Sequence, residues 1–302
     1  MLAIIIPYYK FSFFEATLDS LAAQTDQRFK VYIGDDASPE GPTVILEKYK
    51  GKFDFEYHRF EENLGGTSLT QQWERCIALS SNEEWVMILG DDDVLGKNVV
   101  AEFYNNLPKI KSENVNVVRF STQKIDDEGK LISEIYYHPK IENAVDFLFR
   151  ETRSSLSEYF FKNKNVLRIG FKNFPLGWFS DVLAVLEFSD FRNIFSINDE
   201  KIYVRVSKNS ISGSQNNLHL KLKSTFEFYY YLLTIQGSRF SENQKRDLTL
   251  EISKCYLNDK KNIFLFFRIS RLYLSNYWIK EYYGFIQTLF LNIVIHKNAS
   301  RL

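Results

Sequence analysis

An open, mostly parallel α/β sheet flanked by helices, with a helical extension on its C-terminal side, is the fold this sequence predicts. Three observations predict it. Short apolar runs in the first hundred residues end at a proline or an acidic cluster, and stretches of helical spacing separate them. From Leu218 onward the chain reads as helix throughout.

Residues 2–7 are a continuous apolar run closed by Pro7, which suits a buried parallel strand. Phe13, Phe14, Leu18, Leu21 and Ala22 then recur at helical spacing. A second strand spans 29–33 and stops at Gly-Asp-Asp-Ala-Ser-Pro, 34–39. A helix at 43–49, a strand at 53–58, the turn Gly65-Gly66 and a helix at 68–79 follow. The fourth strand, 85–89, is closed by Gly90, Asp91, Asp92 and Asp93. With right-handed crossovers these strands run parallel, so both acidic clusters fall on the rim where such sheets bind ligands. Further on, 115–120 reads as a strand, 126–129 as a turn and 131–137 as a return strand. A helix at 144–150, a strand at 158–161, a helix at 182–188 and a late strand at 202–206 complete this part.

The 302 residues carry 38 Lys+Arg against 38 Asp+Glu, so no global field would draw in nucleic acid. An anion must be held by a local device. The two cysteines, Cys76 and Cys255, form no CxxC and no disulfide framework. No apolar run reaches the ~20 residues of a membrane span, and the opening is too short for a signal peptide. A cytoplasmic setting is the expectation. His58, His138, His219 and His296 share no metal-ligand spacing.

Three consecutive carboxylates repel one another, which raises their pKa values. A hard divalent cation, Mg²⁺ or Mn²⁺, removes the conflict, taking one or two protein carboxylates and filling its shell with phosphate oxygens and water. Such a cation neutralises charge on a departing diphosphate. The bland alternative for Asp91, Asp92 and Asp93 is a solvated acidic turn. Asp36 is placed to accept a hydrogen bond from a nucleobase N–H, or else to cap a turn, while Asp35 is the more structural of the pair.

The sequence resembles family 2 glycosyltransferases. The resemblance lies in Ile-Ile-Ile-Pro-Tyr-Tyr at 4–9, Leu-Asp-Ser-Leu-Ala-Ala-Gln-Thr at 18–25 and Phe-Lys-Val-Tyr-Ile-Gly-Asp-Asp-Ala-Ser at 29–38. Asn-Leu-Gly-Gly at 63–66 and Ile-Leu-Gly-Asp-Asp-Asp-Val-Leu at 88–95 continue it in order. It implies a GT-A fold, a nucleotide-sugar donor, a divalent metal and inversion at the anomeric carbon. By position, Asp36 resembles the residue that reads the base, commonly uracil. Asp92 resembles the principal metal ligand, Asp93 a helper, and Asp91 the neighbour of the ribose or diphosphate. Pro7 and Tyr9 are similar to positions lining the nucleotide pocket. Where the family carries a first acid this chain has Gly90.

The resemblance also implies a general base at the start of a helix in the second half. Asp181, in Gly-Trp-Phe-Ser-Asp at 177–181, matches it, with Ser180 as helix cap and Trp178 as a sugar-stacking platform or plain packing. Glu158, Glu187 and Asp190 are the competing acids. Arg205, followed by the loop at 210–213, is placed to approach the diphosphate or to brace the active-site loop. On this reading 1–215 is the catalytic domain, with 1–95 holding the nucleotide sugar and 96–215 the acceptor, and 216–302 is the extension.

The expected activity is transfer of a monosaccharide, probed first with UDP donors, to a hydroxyl of a glycan or lipid-linked acceptor in polysaccharide synthesis. Two rivals stand beside it: a degenerate sugar- or nucleotide-binding module, which Gly90 supports, and a sugar nucleotidyltransferase. The latter normally has a Gly-rich loop after the first strand, where this chain reads Pro-Tyr-Tyr-Lys-Phe-Ser. The aromatic-rich helices set basic residues beside a wide apolar stripe, as at 264–273. Packing within the chain, a second subunit in a homo-oligomer and peripheral contact at the inner face of the membrane stay open for them. The Asn-Ala-Ser at 298–300 has the form of a glycosylation acceptor but carries no weight in a cytoplasmic protein.

Overall fold

The computed structural model describes residues 1–150, 154–207, 217–258 and 262–299, with side chains through residue 292. The loop at 210–213, the side chains of His296, Asn298 and Ala299, and Ser300 lie outside the described residues. The chain divides into two compact units, residues 1–173 with 180–214, and residues 174–179 with 215–302.

The first unit opens with β1 (Leu2–Tyr8), α1 (Phe14–Ala22), β2 (Phe29–Asp35), α2 (Thr43–Leu46), β3 (Phe55–Arg59), α3 (Leu69–Ile77) and β4 (Trp85–Ile88). It continues with β5 (Val94–Leu95), α4 (Val99–Ser112), β6 (Val117–Ile125), β7 (Ile141–Asn143), α5 (Ala144–Phe149), β8 (Tyr159–Lys162), α6 (Asn163–Ile169), α7 (Ser180–Phe188) and β9 (Asn193–Arg205). The described strands form one sheet in the order β3-β2-β1-β4-β8-β6-β9-β5, with β7 paired to β9. β1 is parallel to both β2 and β4, and β2 is parallel to β3. The fully apolar burial of β1 and β4 follows from helices covering the sheet, as the unbroken apolar runs require. The sheet is therefore mostly parallel, with β8 inserted antiparallel between β4 and β6.

Several elements depart from the sequence reading, among them the short β5, β7 and α6, to which it assigns nothing. α4 occupies a stretch that reading assigns to nothing; its buried Val99, Val100, Phe103 and Ile110 do keep helical spacing, and the Pro108 inside it hides the pattern. The return strand at 131–137 is reduced to two isolated bridges, Ile125 to Leu131 and Thr122 to Tyr136. Between them the Ser133 hydroxyl accepts from the Lys124 N–H at 2.9 Å, so a side chain takes the place of a ladder carbonyl. The late strand begins at Asn193, because the polar stretch 198–200 stays in the sheet. Asn198 exchanges two hydrogen bonds with the His138 backbone, and Glu200 accepts from the Asn98 N–H.

The second unit holds α8 (Leu218–Thr234), α9 (Glu242–Asn258), α10 (Ile263–Ser275) and α11 (Ile279–Ala299). Its core is aromatic: Phe226, Tyr256, Tyr273, Trp278 and Phe285 pack with Ile252, Ile269 and Leu272. Asn262 caps α10 by accepting from the Phe264 and Leu265 N–H groups. Phe264, Phe267, Tyr283 and Phe290 are exposed. No described helix is long and apolar enough to cross a membrane.

Candidate active site

The parallel register puts the ends of β1, β2 and β4 on one rim, and the backbone ties them together there. The Asp91 carboxylate accepts from the Tyr9 N–H at 2.8 Å and the Lys10 N–H at 2.7 Å, joining the end of β1 to the turn after β4. Thr17 on α1 donates to the Asp93 carbonyl at 2.8 Å. Pro7 lies within β1, and Tyr9, at 38% exposure, follows it with its ring free of the core.

The turn that bears the three aspartates is held from two sides. On one side, the antiparallel register of β4 with β8 pairs Met87 with Phe160, and three residues further it brings Ser157 opposite Gly90. The Ser157 hydroxyl accepts from the Gly90 N–H at 3.0 Å and donates to Asp93 Oδ2 at 2.5 Å. On the other side, β5 pairs with β9 and the register carries Arg205 opposite Asp92. The Arg205 N–H donates to Asp93 Oδ1 at 2.9 Å, and its guanidinium donates to the Asp92 carbonyl at 3.0 Å and the Asp126 carbonyl at 2.5 Å. Arg205 thus braces the turn through main-chain oxygens, over the Phe13 ring. Both Asp93 oxygens are engaged by protein donors, from β9 and from Ser157 just before β8.

Electrostatics follow from this packing. Burial, then the Asp92 charge beside it, push the Asp91 carboxyl up to about 6. Burial raises Asp92 as well, against the pull of Lys10 and Arg205. A Cβ at position 90 would stand 3.0 Å from Asp92 Oδ1 and 3.1 Å from Asp93 Oδ2. A side chain there would press on both carboxylates.

Asp35 and Asp36 are placed very differently. Asp35 is fully buried and accepts from the Ser38 N–H, the Tyr57 hydroxyl and Arg59. Asp36 accepts from the Leu64 N–H at 2.8 Å, the Gly65 N–H at 2.9 Å and Arg75 at 2.5 Å. Gly65 is required for that approach, since a Cβ there would lie 2.5 Å from Asp36 Oδ2. Arg75, stacked on Phe60 at 3.9 Å, is a rim residue that the sequence reading missed; its place in the last turn of an amphipathic helix carried no signal of it.

Asp181 lies in the first turn of α7, half-buried. Ser180 does not cap that helix: it is the first helical residue, and its hydroxyl donates to the Lys172 carbonyl at 2.7 Å. The Asp181 carboxylate accepts instead from the Ser154 hydroxyl at 3.0 Å. Ser154 and Ser157 are three residues apart, a stretch of at most ~10 Å, so Asp181 and the aspartate turn share one neighbourhood. Neither serine stood out in the sequence, because only the β4–β8 register gives them neighbours. Among the competing acids, Glu158 is wholly buried and Asp190 lies past the end of α7, 3.5 Å from Arg192. Trp178 belongs to the helical unit, where its carbonyl accepts from Ser224 and Lys221 lies 4.8 Å from its ring.

Two carboxylates with raised pKa values on an open rim suit a hard cation. Among the described residues no group of three or more His, Cys, Asp or Glu has the arrangement of a metal cage.

Residues 3–187 match the family described as Glycosyl transferase family 2, and the chain belongs to that family. Among curated proteins none matches. The crystal structure of S. aureus TarS residues 1–349 in complex with UDP-GlcNAc is similar, with a TM-score of 0.62 and 14% identity, covering 85% of this chain and 72% of that one. The crystal structure of S. aureus TarS is similar at a TM-score of 0.61 and 17% identity over 85% of this chain and 43% of that chain. GalNAc-T7 with UDP, GalNAc and Mn²⁺ gives 0.53 and 10%, over 82% of this chain and 53% of its own. At these identities the likenesses establish a GT-A-like fold. The chain is a glycosyltransferase that moves a sugar from a nucleotide-diphosphate donor to an acceptor.

Proposed function

From that membership, we propose an inverting transfer of a hexose or N-acetylhexosamine from a UDP-linked donor to a hydroxyl of a glycan or lipid-linked acceptor, in polysaccharide synthesis. The observation that carries it is the contrast within one turn, where Asp93 is locked by protein donors while Asp91 and Asp92 keep raised pKa values on the open rim. The similar structures solved with UDP, UDP-GlcNAc and Mn²⁺ support the donor and the cation.

On this reading Asp92 is the principal ligand of Mn²⁺ or Mg²⁺, Asp93 supports it from behind, and Asp91 neighbours the ribose or diphosphate. The cation, when bound, offsets the negative charge that develops on the leaving diphosphate. Pro7 and Tyr9 line the nucleotide pocket. Asp36 has three of its roughly four acceptor positions filled, and the last, on Oδ2, is the one left for a base N–H. Asp181 takes the proton of the acceptor hydroxyl as its oxygen bonds to the anomeric carbon and the bond to the diphosphate breaks. Arg205 is the brace. Residues 1–215 form the catalytic domain and 216–302 the extension, working in the cytoplasm with the acceptor end of the reaction at the inner membrane face.

The binding-module rival rested on Gly90. The close approach of the Asp92 and Asp93 carboxylates to that position offers a packing reason for the glycine, which supports the enzyme reading beside it. Release of UDP from a panel of UDP-sugars, with Mn²⁺ and with chelator, tests the proposal. Metal-dependent release from one donor is expected; saturable binding of UDP-sugars with no release from any of them would return the binding module.

A further inference from the structure

We propose that residues 154–157 act as a positioning strap for the transfer, Ser157 setting the aspartate turn and Ser154 setting the carboxylate of Asp181. This rests on the reading of Asp92 as metal ligand and Asp181 as base.

The strap runs into β8 and reaches the rim because β8 is antiparallel to β4. Ser157 is buried at 3% exposure and spends both its hydrogen-bonding roles on the turn: it accepts from the Gly90 N–H and donates to Asp93. With Arg205 on the other Asp93 oxygen, the carboxylate is fixed at both ends, and the peptide that carries Asp92 is fixed with it. At the other end, the single Ser154 proton goes to Asp181 Oδ2. The Tyr159 hydroxyl, 2.9 Å from Ser154 Oγ, must then be the donor in that contact. Tyr159 is wholly buried, and burial holds its phenol well above the usual range, so that donor stays protonated. A chain of donors thus runs from Tyr159 through Ser154 into the Asp181 carboxylate and fixes its Oδ2.

An inverting displacement needs its base and its leaving group on opposite sides of one carbon, at a set separation. A misplacement of about 1 Å costs on the order of 100-fold in rate. A stretch of four residues, pinned by a serine at each end, holds that separation. Neither serine touches the reacting atoms in this arrangement, and each acts through a carboxylate.

Because the two serines serve different carboxylates, their loss should show in different parameters. Ser157→Ala is expected to weaken Mn²⁺-dependent UDP binding about tenfold in calorimetry. Ser154→Ala should bind UDP and Mn²⁺ as the wild type does, yet lower kcat for UDP release at least tenfold, measured on the UDP-sugar that the wild-type chain turns over, with donor KM unchanged. Ser154→Thr, which keeps the hydroxyl, should recover most of that loss, and Tyr159→Phe should lower kcat severalfold. Should Ser154→Ala fail to fold, the Ser154→Thr and Tyr159→Phe pair carries the same contrast. The strap is overturned if both serine variants lower the same parameter, or if Ser154→Ala keeps wild-type kcat. Asp181→Asn separates the two failures. Activity surviving that change overturns the base reading itself, while a dead Asp181→Asn beside a wild-type Ser154→Ala overturns the strap alone.

Discussion

Two acidic clusters end parallel strands on one rim, and they are built in opposite ways. At Asp35 and Asp36 the protein supplies the partners itself: three donors to each carboxylate, with Arg59 and Arg75 balancing the charge. At 91–93 only Asp93 is fixed at both oxygens, and burial drives Asp91 and Asp92 upward in pKa. A carboxylate saturated by its own chain shapes a pocket, whereas one left at a cost in free energy is placed to gain from a ligand. That difference turns two similar strings of aspartate into a wall and a working edge.

The largest expected effect is at the working edge. Asp92→Asn should lower turnover by about 10³-fold or more while the protein folds as before, since a cation-bearing charge is lost while Ser157 and Arg205 still hold the turn. Circular dichroism and a thermal melt alongside the UDP-release assay check both halves; near-wild-type turnover would erase the distinction between the clusters. Asp181→Asn should cost about 10²–10⁴-fold in kcat, the range for general-base removal, with UDP binding retained.

At the wall the effect should be on stability. Asp36→Ala strands Arg75 and the Leu64 and Gly65 N–H groups, at a cost of roughly 3 kcal/mol read by urea denaturation. Asp92→Ala, measured the same way without metal, should be neutral or mildly stabilising. Equal destabilisation by the two would sink the comparison.

The smallest effect is in pH. The Asp91 carboxyl, raised to about 6, carries its charge only above that pH, and that charge beside Asp92 adds to the negative field that attracts a cation. Mn²⁺-dependent UDP binding should hold above pH 6 and weaken by up to about tenfold per unit below it. Stability has the opposite sign. A raised carboxyl binds its proton more tightly folded than unfolded, so the metal-free protein is penalised above about pH 6 and relieved as pH falls through 6 toward 4. Asp91→Asn should flatten that dependence in a melt series.

The sequence made the parallel core legible, because fully buried strands must be unbroken apolar runs, and β1, β2 and β4 are. It also placed both acid clusters on one rim, since each follows a strand directly. Elements whose pattern is interrupted escaped it: α4 behind Pro108, and the first half of β9 behind a polar stretch that bonds to neighbouring loops. At the site, residue type pointed to the aspartates but not to which of them the chain satisfies internally. That depends on Ser154, Ser157 and Arg75, common residues made special only by strand register and loop packing.

One titration tests the central claim most directly: UDP into the wild-type chain and into Asp92→Asn, each with and without Mn²⁺, near pH 7.5. The account predicts that Mn²⁺ strengthens UDP binding to the wild type at least tenfold and leaves Asp92→Asn unmoved. Equal gains from Mn²⁺ in both proteins would contradict it and take the working edge away from Asp92.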